Sequence, residues 1–441
     1  MRIDQITIRN FKGFENRVIN FPRWAGSSRK GSFHLLVGEN GMGKSTTLDA
    51  LAVAVGVWHV ARPTAGWRAI RPGEARWNII RHGDRTTFEP MPDPSIEAVG
   101  EIDGKGLSWT RMNKGLSEKT TNEGAKEAVE VVKGMLEESR RADGKVVLPV
   151  LAYYGAGRAW LPEKQRVKGF SFSSEKGSRL DAYYDCLAGR IRDKELNEWF
   201  LYETVESVHR GGKRDALKAV EKAVLTCLPD AKGLRYDTDR KEIVVMMKGG
   251  GVGMPFYNLS DGQRATLAMV ADIAIKCCTL NPQLGAKAPA KTPGVVLIDE
   301  LDLHLHPKWQ RRVIDDLKNT FPGVQFICST HSPFLIQALA PGELITLQED
   351  AEVGEYSNQS IEDIVEGVQG VEMPQRNRRA EVLSSAVEAY VKEIWKPRAT
   401  KASVKKAEAQ FREIAEPYAP NPGLNALLKL EAMAAAQTKT R

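Results

Sequence analysis

A glycine-rich octet, Gly38-Glu39-Asn40-Gly41-Met42-Gly43-Lys44-Ser45, stands between the apolar run Phe33 to Val37 and an amphipathic segment that opens with Thr46-Thr47-Leu48. A strand, a tight glycine turn and a helix, in that order, leave few folds open. The first turn of a helix has unpaired N–H donors and partial positive charge, and glycines let the preceding backbone curl against an anion. Lys44 would neutralise terminal phosphate oxygens and Ser45 would offer its hydroxyl to Mg²⁺, so the octet fits the phosphate-binding loop pattern. Asn40, Gly41, Gly43 and Thr46 complete the candidate contacts on this loop.

Such a loop needs a second, acidic strand end. In "VVLIDELDLHLHP" the run Val295 to Ile298 reads as a strand of a buried parallel sheet, with Asp299 emerging at the carboxyl end where such sheets bind ligands. Asp299 would hold the metal and Glu300 would act as base toward an attacking water. "VQFICSTHSP" supplies a further strand end, from which His331 could reach and sense a terminal phosphate. His304, His306 and His331 also admit a metal-site reading, weakened by the lack of a further ligand pair. Ser260-Asp261-Gly262-Gln263 opens another helix and offers an anion-binding turn that reads as half of a site.

Composition sets the frame. The 441 residues are 42% hydrophobic with a formal net charge of +7, which is room for one large or several ordinary domains and a mild lean toward anionic partners. The apolar runs are far too short for a membrane span, the N-terminus reads as a strand, and five cysteines lie mainly in apolar segments. A cytoplasmic protein with buried free thiols is the expectation. The chain divides on the page into residues 1–60 with the phosphate loop, an inserted arginine-rich lobe over 61–144, a strand plus helical subdomain over 145–232, a second head segment over 233–350 and a helical region over 351–441. "PQLGAKAPAKTPG" reads as a linker, and Leu187, Ile191, Leu196, Phe200 and Val205 carry helical spacing.

Together these motifs resemble the ABC-type ATPase superfamily. The resemblance implies an α/β P-loop ATPase head with a mixed sheet, an inserted lobe and a helical C-terminal region. It assigns Ser260, Gly262 and Gln263 to a signature that reaches the γ-phosphate held by an opposing copy. Asp302 falls in the D-loop, Glu300 becomes the catalytic glutamate and His331 the switch histidine, so ATP and Mg²⁺ would lie between two heads. Asp261 stands where the signature more often has glycine, and Tyr154-Gly155 stands where such proteins place a metal-contacting glutamine, with Gln165 nearby. Ser45 and Ser260 are 215 residues apart (260 − 45), a separation unlike that of transport ATPases. "IDQITIRNFKGFEN" is similar to the opening of the SMC, RecF and OLD-like branch.

With "LVGENGMGKST", "LAYYGAGRAW", "NLSDGQR", "LIDELDLHLHPKWQ" and "STHSP", the sequence resembles most closely the compact PtuA-like ATPases of Septu and retron antiphage defence systems. That implies a homodimer of heads or a higher oligomer, a separately encoded HNH nuclease and DNA as partners. The runner-up is a RecF-like or SMC-like repair ATPase with no nuclease partner. The histidines after Asp302 are taken up by the core, and no acidic nuclease signature follows "THSP", so the chain itself is not expected to cut DNA. Six arginines between Arg62 and Arg85, interleaved with Trp67 and Trp77, divide evenly between a nucleic-acid surface and a solvated or subunit-facing one.

Overall fold

Four of the apolar segments lie side by side and point the same way in the computed structural model, which describes residues 1–23, 31–61, 68–116, 120–141, 145–159, 178–250, 253–348, 356, 359–371, 378–396 and 400–415. The chain opens with β1 (Arg2–Phe11) and β2 (Phe14–Asn20), then enters β3 (Ser32–Val37), the glycine octet and α1 (Lys44–Val55). A short α2 (Val57–Ala61) precedes two hairpins, β4 (Trp77–His82) with β5 (Arg85–Pro90) and β6 (Ser95–Ile102) with β7 (Lys105–Met112). Then come α3 (Lys126–Glu138), β8 (Val150–Tyr154), α4 (Asp193–His209) and α5 (Asp215–Cys227), followed by the meander of β9 (Ala231–Asp237), β10 (Glu242–Met247) and β11 (Met254–Pro255). Next are α6 (Asp261–Leu280), α7 (Ala288–Lys291), β12 (Gly294–Ile298), α8 (Pro307–Thr320), β13 (Val324–Ser329), α9 (Pro333–Gln337) and β14 (Leu344–Thr346). The short α10 (Ile361–Gly367) spans the point at which the chain divides into two compact units, Met1–Ile364 and Val365–Arg441.

The centre of the first unit is an all-parallel sheet in the order β14-β3-β13-β12-β8. Every residue of β12 and β13 is buried, which is why these strands do not alternate: β12 is apolar throughout, and β13 is interrupted only by Gln325 and Ser329, both hydrogen-bonded. Because the strands are parallel and in register, their carboxyl ends come out at one edge. Ile298 pairs with Cys328 on one side and Tyr154 on the other, and Ser329 pairs with Leu36. The next residues, Asp299, Thr330 and Gly155, therefore stand level with the mouth of the glycine octet.

A second, antiparallel sheet runs β2-β1-β6-β7. The buried side chain of Gln325 in β13 ties it to the parallel one, accepting from Ile3 N at 2.8 Å and donating to Ile3 O at 2.7 Å. An amide that completes the backbone bonds of a neighbouring strand satisfies both partners without water, a requirement wherever polar groups are buried. The α/β head is thus present, with its parallel and antiparallel strands divided between sheets. In the second unit, α11 (Arg378–Ile394) and α12 (Lys401–Ala415) meet through Tyr390, Ile394 and Phe411, with the two rings stacked 5.8 Å apart.

Some expectations change in detail. The "PQLGAKAPAKTPG" stretch is not a linker: it folds into a 3₁₀ turn and α7, and Ala288 is fully buried. Its ends are clamped by Asn281, whose side chain bonds both N–H and C=O of Leu148 at 2.8 Å and Thr292 Oγ1 at 3.0 Å. The helical spacing expected from Leu187 begins only at Asp193, so Leu187 and Ile191 precede α4, and Val205 is exposed on it. Strands β6 and β7, from the stretch expected as an inserted lobe, extend the sheet of β1. All five cysteines are free and buried, as expected, and among the described residues no helix is long and apolar enough to cross a membrane.

His34, in β3, is 1% exposed, contacts Ser32 Oγ through Nε2 at 3.1 Å and meets the Phe21 ring edge-on. Burial, helped by Arg2, pushes its pKa down to about 3. A base depressed in the folded state contributes stability above its unfolded value near 6.5 and loses it as pH falls, because the unfolded chain takes up a proton that the folded one refuses. Lowering pH from 7 to 5 is expected to cost about 2 kcal/mol through His34. Denaturant unfolding of wild type and His34→Gln at the two pH values checks it; equal pH losses in both proteins would exclude His34 as the source.

Candidate active site

The glycine octet forms the turn that its sequence requires. Gly41 and Gly43 have φ of +88° and +91°, the left-handed region that side chains disfavour, and Gly43 is also the N-cap of α1. A Cβ on Gly43 would lie 2.3 Å from the ring of Phe14, so the β1–β2 turn seals the back of the loop. Lys44, 7% exposed, donates from Nζ to Gly38 O at 2.8 Å and Glu39 O at 3.0 Å. Burial lowers its pKa, against the opposing pull of Asp299, Glu300 and Asp302. Asn40 and Gly41 are exposed at the mouth and Thr46 is partly exposed.

Across the loop, Ser45 Oγ donates to Asp299 Oδ1 at 3.1 Å, joining residues 254 positions apart. The same carboxylate oxygen accepts from Ser329 Oγ at 2.5 Å, and Ser329 Oγ accepts in turn from Glu300 N at 2.8 Å. Glu300 takes a left-handed φ of +50°, which turns the chain sharply at the strand end. Thr330 Oγ1 then donates to Asp302 Oδ1 at 2.5 Å. Strand ends β12 and β13 are thus laced together by two hydroxyl–carboxylate bonds. His331 follows at once and is exposed on the same edge.

Two oxygen donors, the Ser45 hydroxyl and the Asp299 carboxylate, converge at the mouth. That suits a hard ion such as Mg²⁺, which keeps waters and substrate phosphates as most of its ligands. Among the described residues no cluster of three or more His, Cys, Asp and Glu could hold a metal by itself, so the histidine reading gains no support. His306 instead caps α8, accepting from Lys308 N through Nδ1 at 3.2 Å.

The predicted signature is a closed N-cap. Ser260 Oγ accepts from Gln263 N at 3.4 Å, and Gln263 Oε1 accepts from Ser260 N at 3.2 Å, the reciprocal pattern of a capping box. Ser260 is exposed, while Gly262 is pressed against the Asp302 loop: a Cβ there would sit 2.2 Å from His304 O. Among the described residues, the side-chain hydrogen bonds of Ser260 go to Gln263, and none reaches the glycine octet. The chain therefore brings together Lys44, Ser45, Asp299, Glu300, Asp302 and the base of His331, and presents Ser260 and Gln263 separately at the surface.

Sequence reasoning missed the roles of Ser329 and Phe14, and it left Tyr154 without one. Only the register shows that Ser329 stands opposite Asp299, although a small hydroxyl at the end of a buried strand is a readable hint. Tyr154, where a glutamine was sought, is buried and donates to Asp272 Oδ2 at 2.6 Å, linking the end of β8 to α6. Gln165 lies outside the described residues.

Two family models match the chain: one described as "AAA domain" over residues 5–223, and one described as "AAA domain, putative AbiEii toxin, Type IV TA system" over residues 228–337. The chain is 23% identical over 396 residues to the Retron Vc95 probable ATPase of Vibrio cholerae, covering 78% of this chain and 74% of that protein. It is 25% identical over 364 residues to the Septu protein PtuA of Bacillus mycoides, covering 81% of this chain and 42% of that one. The solved structure of an SMC head bound to the C-winged helix domain of ScpA aligns with 78% of this chain and 93% of its own, at 18% identity and a TM-score of 0.45.

Ser329 is expected to matter through the carboxylate it holds. Under the Mg²⁺-dependent ATP hydrolysis proposed below, Ser329→Ala should raise the Mg²⁺ concentration for half-maximal turnover about ten-fold, the scale on which supporting hydrogen bonds tune metal sites. A Mg²⁺ titration at saturating ATP measures this, and an unmoved midpoint would remove Ser329 from the site.

Proposed function

We propose that this chain is the ATPase subunit of an antiphage defence complex, and that it binds and hydrolyses ATP between two heads to control a separately encoded HNH nuclease acting on DNA. The observation that carries the reading is the convergence of Lys44, Ser45, Asp299 and Glu300 at one sheet edge while the Ser260 cap faces outward. Similarity to a retron ATPase and to a Septu protein PtuA supports the biological setting.

In this reading the octet's N–H groups and Lys44 cradle the phosphates, and Lys44 exchanges its bonds to Gly38 O and Glu39 O for phosphate oxygens. Ser45 and Asp299 would hold Mg²⁺, which would supply positive charge to offset that of the phosphates. Glu300 orients the attacking water and accepts its proton, with Glu300 N fixed by Ser329. His331 contacts the terminal phosphate, and Asp302 lies at the head–head contact. Ser260, Gly262 and Gln263 of the second copy close the site, as an exposed helix N-terminus is suited to do. Neither copy alone surrounds the nucleotide, so ATP stabilises the closed pair and hydrolysis releases it.

Glu300→Gln is expected to lower turnover by about 100-fold or more while ATP binding persists, and to accumulate an ATP-dependent dimer visible by light scattering. Lys44→Ala and Ser260→Arg should each be inactive alone and regain turnover when mixed, since a mixed pair contains one intact composite site. Strictly monomeric hydrolysis, with no rescue on mixing, would overturn the two-headed scheme. For the partner, the chain should co-purify with an HNH nuclease encoded beside it, and alone should leave DNA intact with Mg²⁺ or Mn²⁺.

A further inference from the structure

The β4–β5 ribbon presents an apolar face to solvent. Its register pairs Trp77 with Pro90, Ile79 with Phe88 and Arg81 with Thr86, which puts these six residues on one side. Trp77 is 49% exposed, and Ile79 and Phe88 are 59% exposed each. Trp77, Ile79 and Phe88 thus lie side by side on one exposed face, open to a flat ligand. The face carries one charge, Arg81, and no carboxylate. Arg85, on the opposite side, is also exposed, and neither arginine makes an ion pair among the described residues.

The ribbon is held as a rigid projection. A two-residue turn with Gly83 at φ +65° closes its tip. At its base Arg76 N donates to Asn10 O at 2.9 Å, Met91 N donates to Arg76 O at 2.6 Å, and the Arg76 guanidinium pairs with Glu15 at 3.1 Å. The other arginine of this region that the structure describes in full contact, Arg68, is consumed by the fold: buried, it binds both oxygens of Glu74 at 2.6 and 2.8 Å and approaches Asp49 at 3.3 Å.

We propose that the Trp77–Ile79–Phe88 face is a stacking platform for single-stranded nucleic acid, with Arg81 and Arg85 taking backbone phosphates. Bases of any sequence stack on exposed rings, and the one charge on the stacking face, Arg81, is positive and suits a phosphate, while Arg85 stands on the reverse side together with Asp84 and Glu89. Size favours this occupant over a protein. Two six-residue strands offer a strip about 20 Å long and two strands wide, on the order of 200 Å². A stable protein interface needs about 800 Å² per partner, whereas stacking takes one base per exposed ring, so a strip of this size suffices for about two bases. The assignment deepens the proposed function by giving the ATPase chain its own nucleic-acid contact, and its test reads binding alone, so failure of the two-headed ATPase scheme would leave it standing.

Fluorescence anisotropy of the full chain with labelled 20-mers of dT, U and a duplex, across a salt series, tests the proposal. The wild type should bind the single strands more tightly than the duplex, and the dT and U arms distinguish DNA from RNA. Trp77→Ala/Phe88→Ala should weaken single-strand binding about ten-fold or more, as loss of base stacking does. Arg81→Gln/Arg85→Gln should weaken it and reduce the slope of log affinity against log salt by about 1.4. Melting temperature and ATP turnover should be unchanged in both variants, since the four side chains are exposed. Wild-type affinity in the Trp77→Ala/Phe88→Ala variant would overturn the proposal. So would a loss of self-association or nuclease co-purification in that variant with nucleic-acid binding intact, which would assign the face to a protein.

Discussion

The hydroxyl of Ser329 sits between two strand ends and holds both. It donates to Asp299 at 2.5 Å and accepts from Glu300 N at 2.8 Å, so one small side chain fixes the carboxylate that faces Ser45 and the backbone turn that aims Glu300. A carboxylate that is 5% exposed needs such partners, because an ion removed from water without them costs several kcal/mol. Lys44 supplies the opposite charge from the glycine octet and is itself destabilised by burial. The mouth is therefore an arrangement of mutually dependent charges. An incoming polyphosphate would answer the Lys44 charge, and a cation shared with Ser45 would answer that of Asp299.

The same geometry joins the carboxylates to the start of α6. Asp302 accepts from Thr330 Oγ1 at 2.5 Å, Leu305 N donates to Asp302 O at 2.9 Å, and Gly262 packs against His304 O with no room for a Cβ. Tyr154 adds a second tie from the sheet edge to Asp272, in the middle of the same helix. Packed interiors transmit displacement poorly by bending and well by rigid contact. The carboxylate edge and the start of α6, which carries the Ser260 cap, are in direct contact within the chain.

Much of this was legible in the sequence because local chemistry set it. The glycine octet, the strand ends at Asp299 and Ser329 and the Ser260–Gln263 cap follow from residue type and spacing, and each has the form that its residues imply. What escaped depends on distant partners. Ala288 looked like linker because its burial rests on Asn281, which reaches Leu148, 133 positions away. Arg68 read like its neighbours until Glu74 and Asp49 closed around it. In the β4–β5 ribbon the apolar residues point outward, the reverse of what sequence patterning assumes, so its exposed face had no signature in the sequence. The register that sets Ser329 against Asp299 leaves only a hint in the sequence, a small hydroxyl at the end of a buried strand.

The strand order carries a consequence for assembly. In sequence the parallel strands run β3, β8, β12, β13, β14, but in space β12 and β13 are inserted between β3 and β8. Neither early strand has its central neighbour until residues near 294–329 arrive, and the clamp of Gln325 on Ile3 joins positions 322 apart. Contacts of such separation are formed against a loop-closure entropy that local contacts do not carry. Asp299 and Ser329 ride on those last central strands, so the charged mouth cannot exist in a partly folded sheet. Lys44 would meet its carboxylates only when the core beneath them is complete, which makes the capacity to grip a phosphate a property of the finished head and not of the glycine loop alone.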